Sequence, residues 1–336
     1  MSSIFRAADP LAAPPATPPA ELPDAPPAAL PAELPTEPPT NHSPANQSTG
    51  GPNRHRSVLI FKEPAINSPV STKPPFLALI LGILAVSTAS VLIRFAQAEA
   101  ASIVIAAYRL GLAALVLLIV VLPRQWTVLR ALPRRTLALA ALAGLFLAFH
   151  FAAWITSLEH TTVASSVVLV TTAPLWVAML SGLVLHERIA PAVWLGLGVA
   201  LLGGVVVGVS GECTLAGGQV SCPPLSYFIS GKNTWGNFLA LLGAWMSGAY
   251  LLVGRKVRPQ LSLGTYVLLV YGTAAIVLLA LAAFSGQPFT GFQPQTYLWL
   301  AGLALIPQLL GHSAFNWALR YLPAAFVSVA LLGEPI

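Results

Sequence analysis

Charge is what this chain lacks most. Of its 336 residues, 8% are Asp, Glu, Lys or Arg, against about 25% in a soluble domain. With 56% hydrophobic residues and several runs of about 20 apolar residues, a soluble fold is excluded and a polytopic membrane protein is expected. Other absences narrow the function. No apolar stretch follows a basic N-terminus, so the first residues are not expected to act as a signal peptide. The paired glycines Gly196/Gly198 and Gly203-Gly204 suit close helix packing, and no phosphate-binding loop follows a strand. ATP is therefore not expected to act directly, and no cofactor is expected. His186-Glu187 has Ala190 where a zinc protease helix needs its second histidine. Neither a metal site nor an enzyme is expected. The net charge of +6 needs no nucleic acid, because arginines flanking membrane spans give the same balance.

Proline, by contrast, is abundant and unevenly placed. Residues 1–75 hold 18 of the 30 prolines. A tract such as PPATPPAELPDAPPAALPAELPTEPP has too little apolar surface to fold and reads as a Pro/Ala-rich, partly polyproline arm. It is either a docking arm for a proline-binding module or a tolerated tail.

Nine hydrophobic segments follow: Phe76–Ile93, Ser102–Leu122, Leu137–Ser157, Thr162–Leu185, Pro191–Val209, Thr234–Val253, Ser262–Phe284, Gln295–Ala318, and one starting at Ala324. If the N-terminus is cytoplasmic and the spans alternate, 14 of the 17 Lys and Arg residues fall inside. Arg94 and Lys232 fall outside, and Arg109 lies within a span. The positive-inside rule therefore places the N-terminus in the cytoplasm.

The chain also resembles itself. A shift of 161 residues lays Pro335 on Pro174, Ala325 on Ala164, Leu242-Gly243 on Leu81-Gly82, and Arg255 on Arg94. A proline within a membrane helix frees a backbone carbonyl, which a neighbouring helix or a polar cavity must satisfy. Five spans per unit is an odd number, so the second unit would enter the membrane inverted. Inverted repeats place substrate near the bilayer midplane between the halves.

Four stretches carry a resemblance to a known family: Tyr108-Arg109, Ala164–Ile189, Trp235–Val257 and Leu319–Ile336. On these the chain resembles the drug/metabolite transporter superfamily in its EamA-like branch. The resemblance implies an all-α fold of ten helices in two inverted five-helix units. It also implies a plasma (inner) membrane carrier that exports or exchanges small metabolites such as amino acids. The expected organisation is a tail over 1–75, a first unit over 76–209, an outside loop over 210–233 and a second unit over 234–336. Against the ten-helix pattern, the second unit is expected to be incomplete, its ninth helix cut and its tenth missing.

Candidate substrate-binding residues are polar or aromatic groups set in apolar spans. Arg109 lies about 10 Å from the outer surface at 1.5 Å per residue. It either snorkels outward or faces a cavity and holds an anionic group. His150 and Trp154 share one helix face, and Gln308, His312 and Asn316 recur at i, i+4 and i+8. Thr171, beside Pro174, joins Trp245 and Tyr250 as a further candidate lining. For each single residue, interhelical hydrogen bonding is the plain alternative. Glu334, beside Pro335, is the candidate coupling-ion carboxylate. Cys213 and Cys222 fall in the outside loop, where a disulfide can close a small ring. The expected partners are a small-molecule substrate and the lipid bilayer, with a homodimer left open. A non-transporting membrane protein, either a truncated carrier or an anchor for the arm, is the second expectation.

Overall fold

A computed structural model describes residues 75–210, 213–216, 219–222 and 233–333. The candidate coupling carboxylate Glu334 and the second kink proline Pro335 lie outside the described residues, as does the N-terminal arm. Seven helical stretches among the described residues are long and apolar enough to cross a membrane, and Pro191–Gly203 and Ala324–Gly333 are shorter apolar helices.

Several spans are broken, and side-chain hydroxyls mark the breaks. The first divides into α1 (Pro75–Val86) and α2 (Ala89–Ala96). Between them Ser87 Oγ donates to Ile83 O at 2.8 Å and Thr88 Oγ1 to Ala85 O at 2.8 Å. Such back-bonding competes with the helix ladder and bends it. The fourth span divides into α6 (Val163–Val170) and α7 (Ala173–Val184) in the same way. Thr171 and Thr172 bond back to Val168 O and Leu169 O, directly ahead of Pro174. Pro174 thus stands in the first turn of a new helix, where its missing N–H removes no hydrogen bond.

Between these lie α3 (Ser102–Val120), α4 (Leu122–Ala131) and α5 (Arg134–His160). Helix α4 corrects the sequence expectation, which places no element between residues 122 and 137. None of its residues is fully buried, and only Leu122 and Leu129 pack against the core, a weak apolar period for a helix of this length. After α8 (Pro191–Ser210) the loop of this all-helical fold carries a short hairpin. Strands β1 (Thr214–Ala216) and β2 (Gln219–Ser221) pair antiparallel, with Thr214 opposite Ser221. Cys213 and Cys222, next in the same register, are joined as a disulfide with Cα atoms 4.2 Å apart. The rest of the described chain contains α9 (Asn233–Val257), α10 (Leu263–Phe284), α11 (Pro294–Leu303), a π-helical run (Ala304–His312), α12 (Ser313–Ala318) and α13 (Ala324–Ala330).

Helix starts recur along the chain. Ser102 and Leu263 open α3 and α10, and Val163 and Ala324 open α6 and α13, each pair 161 residues apart. Packing recurs in exchanged form. Helix α5 packs on α9, while α1 packs on the π-helical run and α12. The equivalent helices α3 and α10 pack on each other, and α7 packs on α13. Glycines allow the close approaches. A Cβ added at Gly243 would stand 3.3 Å from Trp154 Cβ, and one at Gly82 would stand 3.1 Å from Ala314 Cβ. Even the end-caps exchange. Arg94 Nη2 donates to Thr161 O, the C-cap of α5, and Arg255 Nη1 donates to Leu319 O, the C-cap of α12. A cation at a helix C-terminus satisfies carbonyls that the helix leaves open.

Arg255 has a second duty. Its Nε donates to Glu187 Oε1 at 2.9 Å, an ion pair between residues 68 positions apart.

Candidate functional site

A cavity of about 30 Å³ lies beside the α6/α7 break. Its lining includes His150 and Trp154 from α5, Thr171 and Pro174 from the break, Ser247 from α9 and His312 from the π-helical run. Four candidate residues far apart in sequence therefore meet at one place: His150, Trp154, Thr171 and His312. The regular helix α5 positions His150 and Trp154, and irregular elements position Thr171 and His312. A π-helical run is uncommon and concentrates at functional sites, and Pro307 inside it removes a ladder donor.

The geometry fixes some of the chemistry. His150 Nδ1 lies 2.9 Å from Gly243 O. A carbonyl only accepts, so Nδ1 carries the proton and Nε2 is the ring's other polar atom. The His150 and Trp154 rings stack with centroids 5.9 Å apart and planes 11° apart. Trp154 is 2% exposed, and its Nε1 has no hydrogen-bond partner in the structure. A buried donor left unpaired costs about 1–3 kcal/mol, so it marks a place where an acceptor would be stabilised.

Arg109 lies behind this cavity and does not snorkel. It is fully buried. Its Nε donates to Gln308 Oε1 at 2.9 Å, and its guanidinium lies 4.1 Å from the Phe151 ring centroid. Phe151 in turn packs edge-on against His312 with centroids 5.2 Å apart. Because Gln308 turns its oxygen to Arg109, its Nε2 faces away and is a second buried donor without a partner.

The remaining candidates lie elsewhere. Asn316 accepts from Tyr250 OH and donates to Tyr271 OH at 3.2 Å. Its carbonyl receives Arg258 Nε at 2.6 Å. Trp245 packs edge-on against Trp176 with centroids 5.4 Å apart. Neither Trp245 nor Tyr250 lines the cavity. The evenly spaced Gln308, His312 and Asn316 therefore fan out to Arg109, to the cavity and to the Tyr250 network. The spacing assumed 3.6 residues per turn, and the π-helical run changes the phase.

Four contributing residues give no sequence signal of their own. Phe151 and Ser247 are unremarkable in an apolar helix, and Tyr271 sits mid-span in α10. Arg258 counts as an interfacial charge in the sequence, yet it is 1% exposed.

The model of the EamA-like transporter family matches residues 73–209 and 234–336. The chain belongs to this family. EamA-like membership and seven span-length apolar helices make it a multi-pass membrane protein of a transporter family. No curated protein matches it. Among solved structures 16 chains match. One, titled only as the crystal structure of a protein, is 18% identical with a TM-score of 0.60. The match covers 78% of this chain and 84% of that one, and it supports the fold alone. The cavity draws on both stretches that match the EamA-like family. His150, Trp154 and Thr171 come from the first, and Ser247, His312 and Leu331 from the second.

Proposed function

We propose that this EamA-like protein is a secondary carrier that exports or exchanges small organic metabolites by alternating access between two inverted repeats. The observation that carries the reading is the convergence of His150, Trp154, Thr171 and His312 at a helix break where the two matched stretches meet. Helix starts and contacts that exchange at 161 residues support the two-fold relation between the units. The arginine distribution supports a cytoplasmic N-terminus in the plasma membrane.

The substrate carries an acceptor group, with carboxylates such as those of amino acids the leading class. Among the described residues the cavity lining offers an indole N–H, hydroxyls and imidazoles and no carboxylate. Arg109 lies one aromatic ring behind it. About 30 Å³ holds a water or two at most, so this conformation is closed around its site. Loading a metabolite requires α7 to move against α9, and the α6/α7 break supplies the pivot. A broken helix at the site is the arrangement that lets one half of a carrier rock against the other.

The test is counterflow into proteoliposomes preloaded with single amino acids and related carboxylates. Saturable exchange that one preloaded compound accelerates supports the proposal. The absence of exchange for every carboxylate, with correctly inserted protein, removes the substrate class.

A further inference from the structure

A second, much larger hollow lies between α3 and α10. Its volume is about 760 Å³, and its walls are the outward faces of these two helices. The two walls correspond residue for residue at the 161-residue shift: Gly111 with Gly272, Leu115 with Ile276, and Leu118 with Leu279. The rim faces the surroundings, since Leu115 is 52% and Ile276 71% exposed. A Cβ added at Gly111 or Gly272 would meet nothing within 4 Å, so both glycines open onto free space.

The hollow is chemically plain. Its two polar side chains are already used. Tyr108 OH donates to Phe289 O at 2.7 Å, and Thr273 Oγ1 donates to Leu269 O at 2.8 Å. A polar metabolite would find no partner here. From Ala107 to Leu118 the wall runs about 16 Å, a length that an extended hydrocarbon chain spans.

One end of the hollow carries charge. Leu122 and Leu129 of α4 line that end. Gln125 Oε1 accepts from Thr265 Oγ1 at 3.2 Å, which fixes α4 against the start of α10. The stretch from Leu122 to Arg135 holds Arg124, Arg130, Arg134 and Arg135, all exposed, and no acid. Trp126 lies beneath Arg130, its ring centroid 4.3 Å from the guanidinium carbon. An indole and a guanidinium just beyond the end of a span are the groups that anchor at a lipid headgroup layer.

We propose that this hollow is a docking site for an anionic phospholipid. Its acyl chains lie along Gly111 and Gly272, and its headgroup meets Arg124 and Arg130. Arginine clusters beside a span favour anionic headgroups, and the groove adds apolar contact that an ordinary annular position lacks. The proposal does not depend on what the carrier transports.

The test uses the full chain in nanodiscs of zwitterionic lipid, doped with phosphatidylglycerol or phosphatidylethanolamine bearing an acyl-chain diazirine. After irradiation, adducts are mapped by mass spectrometry. We expect adducts concentrated on the facing sides of α3 and α10, with phosphatidylglycerol at least about fivefold above phosphatidylethanolamine. The surface variant Arg124→Gln/Arg130→Gln should abolish that preference while leaving the adduct positions unchanged. Gly111→Leu/Gly272→Leu should remove the adducts from the groove. Gly111→Ala/Gly272→Ala should reduce them and serves where the leucine variant fails to insert. Adducts spread evenly over all outward faces, equal labelling by the two lipids, or crosslinks to a second copy through this groove would each overturn the proposal.

Discussion

The hollow between α3 and α10 and the cavity beside the α6/α7 break differ in size by more than an order of magnitude, about 760 Å³ against about 30 Å³. The larger one has every polar group satisfied and faces the bilayer. The smaller one gathers two histidines, a tryptophan N–H without a partner and two hydroxyls at a broken helix. A carrier site must close around its substrate, so its volume reports conformation rather than importance. The placement of unsatisfied polar groups is the better guide to chemistry.

The strongest challenge to this contrast comes from Arg109, which stands behind the small cavity. Arg109→Met removes a charge-assisted hydrogen bond to Gln308 and the contact with Phe151. We expect a loss of about 2–4 kcal/mol of stability together with flux below about a tenth of wild type. Thermal unfolding in detergent and proteoliposome exchange measure the two effects. Near-normal values for both would detach Arg109 from the site.

Gly144 of α5 probes packing between the two hollows. A Cβ there would stand 2.6 Å from Val270 O and 2.7 Å from Thr273 Cβ. Gly144→Ala should cost about 1–3 kcal/mol. Exchange should fall in step with the amount of inserted protein, with specific activity unchanged. A drop in specific activity alone would give this interface a transport role that packing does not explain.

Trp154→Phe separates site from scaffold most cleanly. It keeps a large ring and deletes an N–H that bonds nothing in the closed state. Stability should stay within about 0.5 kcal/mol, while exchange falls about 5- to 50-fold if that N–H meets the substrate. Unchanged exchange would assign the indole to packing. Tyr250→Phe gives the smallest effect. It loses one bond to Asn316, worth about 0.6 kcal/mol in a membrane bundle, and should leave the substrate's apparent affinity unchanged.

Much of this architecture is legible in the sequence because lipid imposes simple rules. Span-length apolar runs, arginines at their ends and Pro174 in mid-span each follow from the need to satisfy backbone groups without water. His150 and Trp154 were legible as a pair because α5 is a regular helix. Gln308, His312 and Asn316 misled because the π-helical run breaks the 3.6-residue phase. Glu187 and Arg255, 68 positions apart, could be joined only by the fold. The burial of Arg258 was not legible because its carbonyl partners, Asn316 O and Leu261 O, are backbone atoms that no side-chain pattern reveals. Helix α4 escaped notice because only Leu122 and Leu129 of its residues pack against the core.

The central claim is that the small cavity opens alternately to the two sides of the membrane. The chain's two cysteines are held in one disulfide, so replacing both with serine leaves a background for a single probe. Thr171→Cys in that background would be treated with a membrane-impermeant thiol reagent from either face of oriented vesicles, with and without a transported carboxylate. Alternating access predicts labelling from both faces, suppressed on each when substrate holds the site closed. Labelling from one face only, whatever the substrate gradient, would contradict it.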